Sequence, residues 1–119
     1  MSVAVSLEEL ARRVEEYGSV AFLVTTDGTG SHVVSVRVTF DGRRFTMHAG
    51  STSRRNLASS ASATLLWPSP DAGPYCLLVD GSAGSDEDVA WVEPTRAVLH
   101  RLADADPDLP SCVRLEPDR

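Results

Sequence analysis

The sequence predicts a mainly β protein, an antiparallel barrel of five or six short strands with one helix near its N-terminal end. Apolar and polar residues alternate over 32–40 and 43–49, the period of a half-buried strand. Turn pairs such as Asp27-Gly28 and Asp41-Gly42 separate the apolar runs, and Asp-Gly between alternating segments is a strong hairpin signal. Before the first strand, only Leu7, Leu10, Ala11, Val14 and Tyr17 keep a helical spacing.

The helix should open on a capping box, with Ser6 at the N-cap and Glu9 reaching back, and end at Gly18. It reads as a lid over the core and carries no chemistry. Val20 to Thr26 is an apolar run too short for a helix. His32 to Phe40 follows, with Val34, Val36, Val38 and Phe40 on one face and Val33, Ser35, Arg37 and Thr39 on the other. Arg43 to Ala49 returns as the third strand, alternating Phe45, Met47 and Ala49 with Arg44, Thr46 and His48. Ala61 to Trp67 and Tyr75 to Asp80 supply two more strands, and Asp86-Glu87-Asp88 reads as a solvated turn. Val89 to Glu93 is a short sixth strand stopped by Pro94.

A length of 119 residues suits one domain with a genuine core over about 6–101, followed by an acidic, Pro-rich tail over 102–119 that orders only against a partner. With 42% hydrophobic and 24% charged residues the composition is that of a globular chain. No apolar run reaches the length of a membrane span and no signal-peptide pattern opens the chain, so a cytoplasmic protein without a membrane partner is expected. The formal charge of −6 argues against nucleic-acid binding. Arg37, Arg43, Arg44, Arg54 and Arg55 nonetheless make the middle of the chain basic, which suits a small anionic ligand. Lysine is absent, which excludes lysine-based chemistry. Cys76 and Cys112 lack a metal-binding spacing and read as free thiols of a reducing cytoplasm, a single disulfide being the alternative.

Between the third and fourth strands lies Gly50-Ser51-Thr52-Ser53-Arg54-Arg55-Asn56-Leu57. Three hydroxyls and two guanidiniums gather where a short helix should start, and the unpaired N–H groups of a helix start suit a phosphate. Forked arginine donors match phosphate oxygens. The same residues read equally as a loop with a Ser or Thr N-cap and two solvated arginines.

The order of these pieces resembles the pyridoxamine 5′-phosphate oxidase-like family, the flavin-binding split barrels. The match rests on a helix, "YGSVAFLVTTDGTGSHVVSVRVTFDGRRF", the Ser/Thr/Arg turn with Asn56-Leu57, "ATLLW", "VDGSA" and "PTRAVLHR". The resemblance implies a six-stranded antiparallel Greek-key split barrel with an N-terminal helix and a short helix after strand three. It also implies a homodimer holding FMN at its interface. In that implied site Val33, Val34, Ser35 and Val36 run along the flavin ring, and Met47, His48 and Ala49 line the same groove. Ser51, Thr52, Ser53, Arg54 and Asn56 hold the phosphate and ribityl chain. The implied activity is FMN-dependent oxidoreduction of a small molecule that the sequence does not identify. The alternatives are a non-enzymatic dimeric module that binds a flavin or deazaflavin, or a deazaflavin-dependent reductase. Ser31 stands where many relatives have proline, and the C-terminal Arg and His pattern of the vitamin oxidases is missing, so pyridoxamine phosphate is not the expected substrate.

His32, His48 and His100 are too dispersed for a metal site, and none is expected. His48 alternates onto the ligand face and suits a hydrogen-bonding role; His100 reads as packed or interfacial. Trp67, Trp91 and Tyr75 read as core or interface aromatics. Ser53 has no His and Asp arranged around it, which excludes a hydrolase triad. Catalytic side chains are not identified, as suits chemistry that resides in a flavin.

Overall fold

The computed structural model describes residues 2–4, 7–101 and 112–116. In chain order the elements are β1 (Ser2–Ala4), α1 (Leu7–Tyr17), β2 (Val20–Thr26), β3 (Ser31–Arg37), β4 (Thr39–Phe40), β5 (Phe45–His48) and α2 (Ser51–Ser59). They continue as β6 (Ser62–Trp67), a 3₁₀ turn (Pro70–Ala72), β7 (Tyr75–Asp86), β8 (Val89–Arg101) and β9 (Cys112–Glu116). All described strands join one sheet with a continuous path β1-β9-β8-β7-β6-β2-β3, while β5 pairs with β8 and β4 with β5. The long strand β8 makes the curl, because its first half carries β5 (Phe45↔Val92) and its second half carries β9 (Leu99↔Val113). The result is a mainly antiparallel sheet curled into a half-barrel with two helices.

The concave side holds the core. Leu23, Phe45, Leu65, Trp67, Leu77, Val79 and Val92 are fully buried, each removal from water stabilising the fold by about 1.5–3 kcal/mol. Phe45 stacks on Phe40 with centroids 4.2 Å apart and meets the Trp67 ring at 5.5 Å. The Trp67 indole Nε1 donates to the Gly18 carbonyl at 2.9 Å, so its one polar atom is paired inside the core. Helix α1 closes over this side through Leu10, with Val14 and Tyr17 packed beside it. It ends as expected at Gly18, whose φ of +100° favours glycine and whose N–H donates to the Val14 carbonyl at 2.8 Å. Ser6, the expected N-cap, lies outside the described residues.

Several expectations are corrected. The strand count is not six: seven strands form the continuous path, and β1 pairs with β9 in parallel. The expected second strand breaks at Val38, whose N–H still bonds the Ser19 carbonyl at 2.7 Å, one step beyond the Val20↔Arg37 pair, before the chain turns to meet β5. Pro94 does not stop β8. Asp80 faces Arg96 while Gly81 faces Pro94, so Thr95 is the extra residue of a β-bulge, a place where a strand tolerates proline. Strand β7 likewise runs through Gly81-Ser82-Ala83 to Asp86, and the acidic run becomes the tight Glu87-Asp88 turn between β7 and β8. Within the expected tail, Cys112–Glu116 forms β9 against the edge that β8 offers, its Cys-Val-Arg-Leu-Glu alternation being a strand pattern. His100 is exposed rather than packed.

Cys76 and Cys112 are both opposite His100, on the two sides of β8. Strand spacing then puts their backbones roughly 9.5 Å apart, beyond the reach of a disulfide. Cys76 is a free thiol.

Candidate functional site

The hydroxyl- and arginine-rich stretch forms helix α2, and its first turn is uncapped. Gly50 occupies the N-cap in extended backbone and no side chain accepts from the turn. The first intrahelical bond is Arg54 N–H to the Gly50 carbonyl at 3.1 Å, so the N–H groups of Ser51, Thr52 and Ser53 precede the ladder. The alternative of a Ser or Thr cap is thereby not realised.

Helical spacing sorts the side chains of α2. Ser53, Asn56 and Leu57 recur at i, i+3 and i+4 and are buried, whereas Ser51 and Arg55 are exposed and Thr52 and Arg54 half-buried. Asn56 Nδ2 donates to Thr25 Oγ1 at 3.1 Å, a buried bond that pins α2 to β2. Ser53 is 1% exposed, yet its Oγ has no hydrogen-bond partner. The Arg54 Nε is also buried without a partner, although the same guanidinium donates through NH1 to the Glu87 carbonyl at 3.1 Å. Two unpaired buried donors within one turn of an uncapped helix start are an unusual concentration of unmet hydrogen bonding.

The turn between β7 and β8 braces this start. Ala49 N–H donates to the Asp88 carbonyl at 3.0 Å, and His48 Nδ1 lies 3.5 Å from Asp88 Oδ2 on the surface. Glu87 holds a left-handed φ of +54° there. Sequence reading gave these two residues no part in the site, since backbone carbonyls leave no mark on side-chain chemistry.

The remaining residues of the implied site are on two strands. On β3, Val33 and Ser35 are exposed, Val34 packs partly against the core and Val36 is buried. On β5, Met47 is in the core, as is Ala49 just beyond the strand, while His48 is exposed. Strand β3 touches β5, while α2 follows β5 through Ala49-Gly50 and packs on β2 and β7. The side chains of Val36, Met47 and Ala49 are buried in the core, so none of these side chains lines an open groove. Among the described residues no three His, Cys, Asp or Glu groups gather as a metal site, and no helix is long and apolar enough to cross a membrane.

The turn carboxylates elsewhere are spoken for. Asp27 is held below the usual carboxylate range by the Thr29 hydroxyl and the Thr29 and Gly30 N–H groups. Asp41 is lowered by the Arg44 and Arg43 N–H groups in its hairpin. Burial, with Glu16 alongside, pushes the Tyr17 phenol up, and its hydroxyl donates to the Tyr75 carbonyl at 2.9 Å. On the outer face of β8, Arg44 stacks 4.3 Å above the half-buried Trp91 ring and pairs with Glu93 at 3.2 Å.

Uncharacterized proteins of Mycobacterium bovis and Mycobacterium tuberculosis are each 36% identical to this chain over 127 aligned positions, covering 92% of it and 88% of theirs. The chain belongs to the family of these mycobacterial proteins. No family model matches it. A Listeria innocua protein described as a candidate pyridoxamine 5′-phosphate oxidase superposes with TM-score 0.66 at 14% identity, over 79% of this chain and 98% of its own. A Clostridium acetobutylicum protein related to general stress protein 26, of the pyridoxinephosphate oxidase family, gives 0.63 at 12% identity, over 80% and 87%. The fold is that of the pyridoxamine 5′-phosphate oxidase-like split barrels, as the order of sequence pieces implied.

Proposed function

We propose that the chain is a flavin-binding split barrel, an FMN-dependent oxidoreductase that acts as a homodimer on a small molecule. The observation that carries the reading is the uncapped first turn of α2 with its unpaired Ser53 Oγ and Arg54 Nε. A phosphate there would meet backbone N–H groups and a guanidinium already held by the Glu87 carbonyl, and the Ser53 hydroxyl, closed off from solvent in the free chain, would turn outward to join them. Ser51 and Thr52 would add hydroxyls at the open side, and His48 would reach the ligand from β5. The exposed edge residues Val33 and Ser35 would lie along the ring, with Val34 and Val36 contributing backbone. Bound FMN would supply reversible two-electron transfer. This chain's part is to anchor the phosphate, orient the ring and cover one of its faces.

The dimer is supported by an unpartnered outer surface. Val20, Phe22 and Val33 are exposed there, and β2–β6–β7 register sets Phe22, Leu66 and Leu78 in one row. The free Cys76 suits a reducing compartment, and the reading places the protein in the cytoplasm. A second reading, a module that binds a flavin or deazaflavin coenzyme without turning it over, is favoured by the exposed acidic turn. Glu87 and Asp88 beside Arg54 weaken its pull on a dianion.

Sedimentation of the protein with FMN, followed at the flavin's visible absorption band, tests the reading. One flavin per chain should travel with a two-chain species, and a nicotinamide donor should then bleach it. Flavin left at the meniscus overturns the reading; bound flavin that no donor bleaches leaves the second one. Running the deazaflavin coenzyme in parallel decides between the cofactors.

A further inference from the structure

We propose a second binding site, separate from the start of α2, for a small uncharged polyol about the size of one sugar ring. It is a cleft of about 300 Å³ where β2, β6, β7 and β8 meet, and its walls include none of the residues assigned to the flavin. That volume is at the lower end for ligand pockets.

Two independent irregularities of the sheet converge on this cleft. The β2–β6 ladder stops at Val24↔Thr64, although both strands continue through Thr25-Thr26 and Ser62-Ala63, so the strands part and open the floor. On the opposite wall the β7–β8 bulge inserts Thr95 and brings its side chain into the same space. Bulges commonly re-aim a side chain in this way. The bulge also forces a close approach of Gly81 to the Glu93 backbone that no larger residue could share. An ordinary antiparallel sheet needs neither feature.

The walls are hydroxyl-rich. Ser31, Ser62 and Thr95 are exposed at the rim, around a carboxylate fixed in place. Thr64 Oγ1 donates to Asp80 Oδ1 at 2.5 Å and Arg96 to Asp80 Oδ2 at 3.3 Å. Arg96 balances the charge of Asp80 from outside the lining, so the cleft favours neither anion nor cation. Thr95 Oγ1 donates to the Asp80 carbonyl at 3.3 Å and Thr26 Oγ1 to the Gly30 carbonyl at 3.1 Å, so these hydroxyls, like Thr64 and the carboxylate, offer acceptors, while the Ser31 and Ser62 hydroxyls can donate as well. A ligand whose own groups are hydroxyls matches that set. Val24 offers an apolar floor for its carbon face. Thr25, at the base, accepts the Asn56 bond, so the cleft touches the framework of α2 without sharing its ligand groups.

The test is a titration of the full chain with ribitol and, separately, with D-glucose, read by backbone amide shifts. Saturable shifts confined to Thr26, Ser31, Ser62, Thr64 and Thr95 are expected. Thr95→Val and Ser62→Ala should each weaken binding about tenfold, the loss of one good hydrogen bond, with melting temperature unchanged. Shifts that do not saturate, that spread over the surface, or that centre on His48 and α2 overturn the site. So does binding that both variants leave intact. FMN affinity should be the same in both variants, which separates this outcome from failure of the flavin reading.

Discussion

Gly81→Ala is expected to cost about 3 kcal/mol of folding stability, the upper range for overpacking a well-filled site. An added Cβ would overlap the Glu93 carbonyl oxygen and come within 2.8 Å of the Glu93 carbonyl carbon and Val92 Cγ1. The obstacle is backbone of a neighbouring strand, not the end of a flexible side chain, so relief requires moving β8 away from β7. Those strands share the longest ladder of the sheet, from Tyr75↔Arg101 to Asp86↔Val89, and the bulge is already in it. A fall in melting temperature on the order of 10 °C should follow for a domain of this size. Gly30→Ala is the control: its Cβ would meet nothing within 4 Å, and its backbone is outside the left-handed region, so stability should hold to within about 0.5 kcal/mol. Thermal unfolding of the two variants decides the matter. Equal melting temperatures would mean that β8 yields more easily than its pairing suggests.

The same bulge marks where the sequence stops being readable. Asp27-Gly28 and Asp41-Gly42 were legible because their turns are made by the aspartates' own oxygens bonding N–H groups two and three residues on. Pro94 was misread because a bulge depends on the partner strand: Gly81 makes room for the Glu93 backbone from twelve positions away. Strand β9 was hidden in an acidic, Pro-rich segment whose pairing rests on the edge of β8. In the candidate site the chemistry was legible and the orientation only in part. Ser53 and Asn56 keep step with Leu57, so helical period alone places them inward. Alternation put Met47 and Ala49 on the apolar face with Phe45, and that face is in the core rather than in the groove the resemblance implied. What no local pattern could give is the brace from the Glu87 and Asp88 carbonyls, because turn backbone reaches α2 only once β7 and β8 are folded together.

That brace makes Arg54→Ala the sharpest test of the flavin reading. The side chain gives one bond to the Glu87 carbonyl at 3.1 Å, and its loss should destabilise the fold by about 1 kcal/mol or less. If the guanidinium also meets the FMN phosphate, a charge-assisted pair of about 1.5–3 kcal/mol disappears with it, and FMN should bind roughly ten- to a hundredfold more weakly. Riboflavin, which lacks the phosphate, should bind the variant as well as it binds the unaltered chain. Arg54→Lys keeps the charge but not the fork and should recover part of the difference. Arg55→Ala, at an exposed position one residue on, should change little. Fluorescence titration of both flavins against the four proteins separates the causes. Loss of FMN alone locates the phosphate at α2. Equal loss of FMN and riboflavin means that Arg54 supports the groove rather than the anion, and unchanged FMN affinity removes the anchor on which the flavin assignment rests.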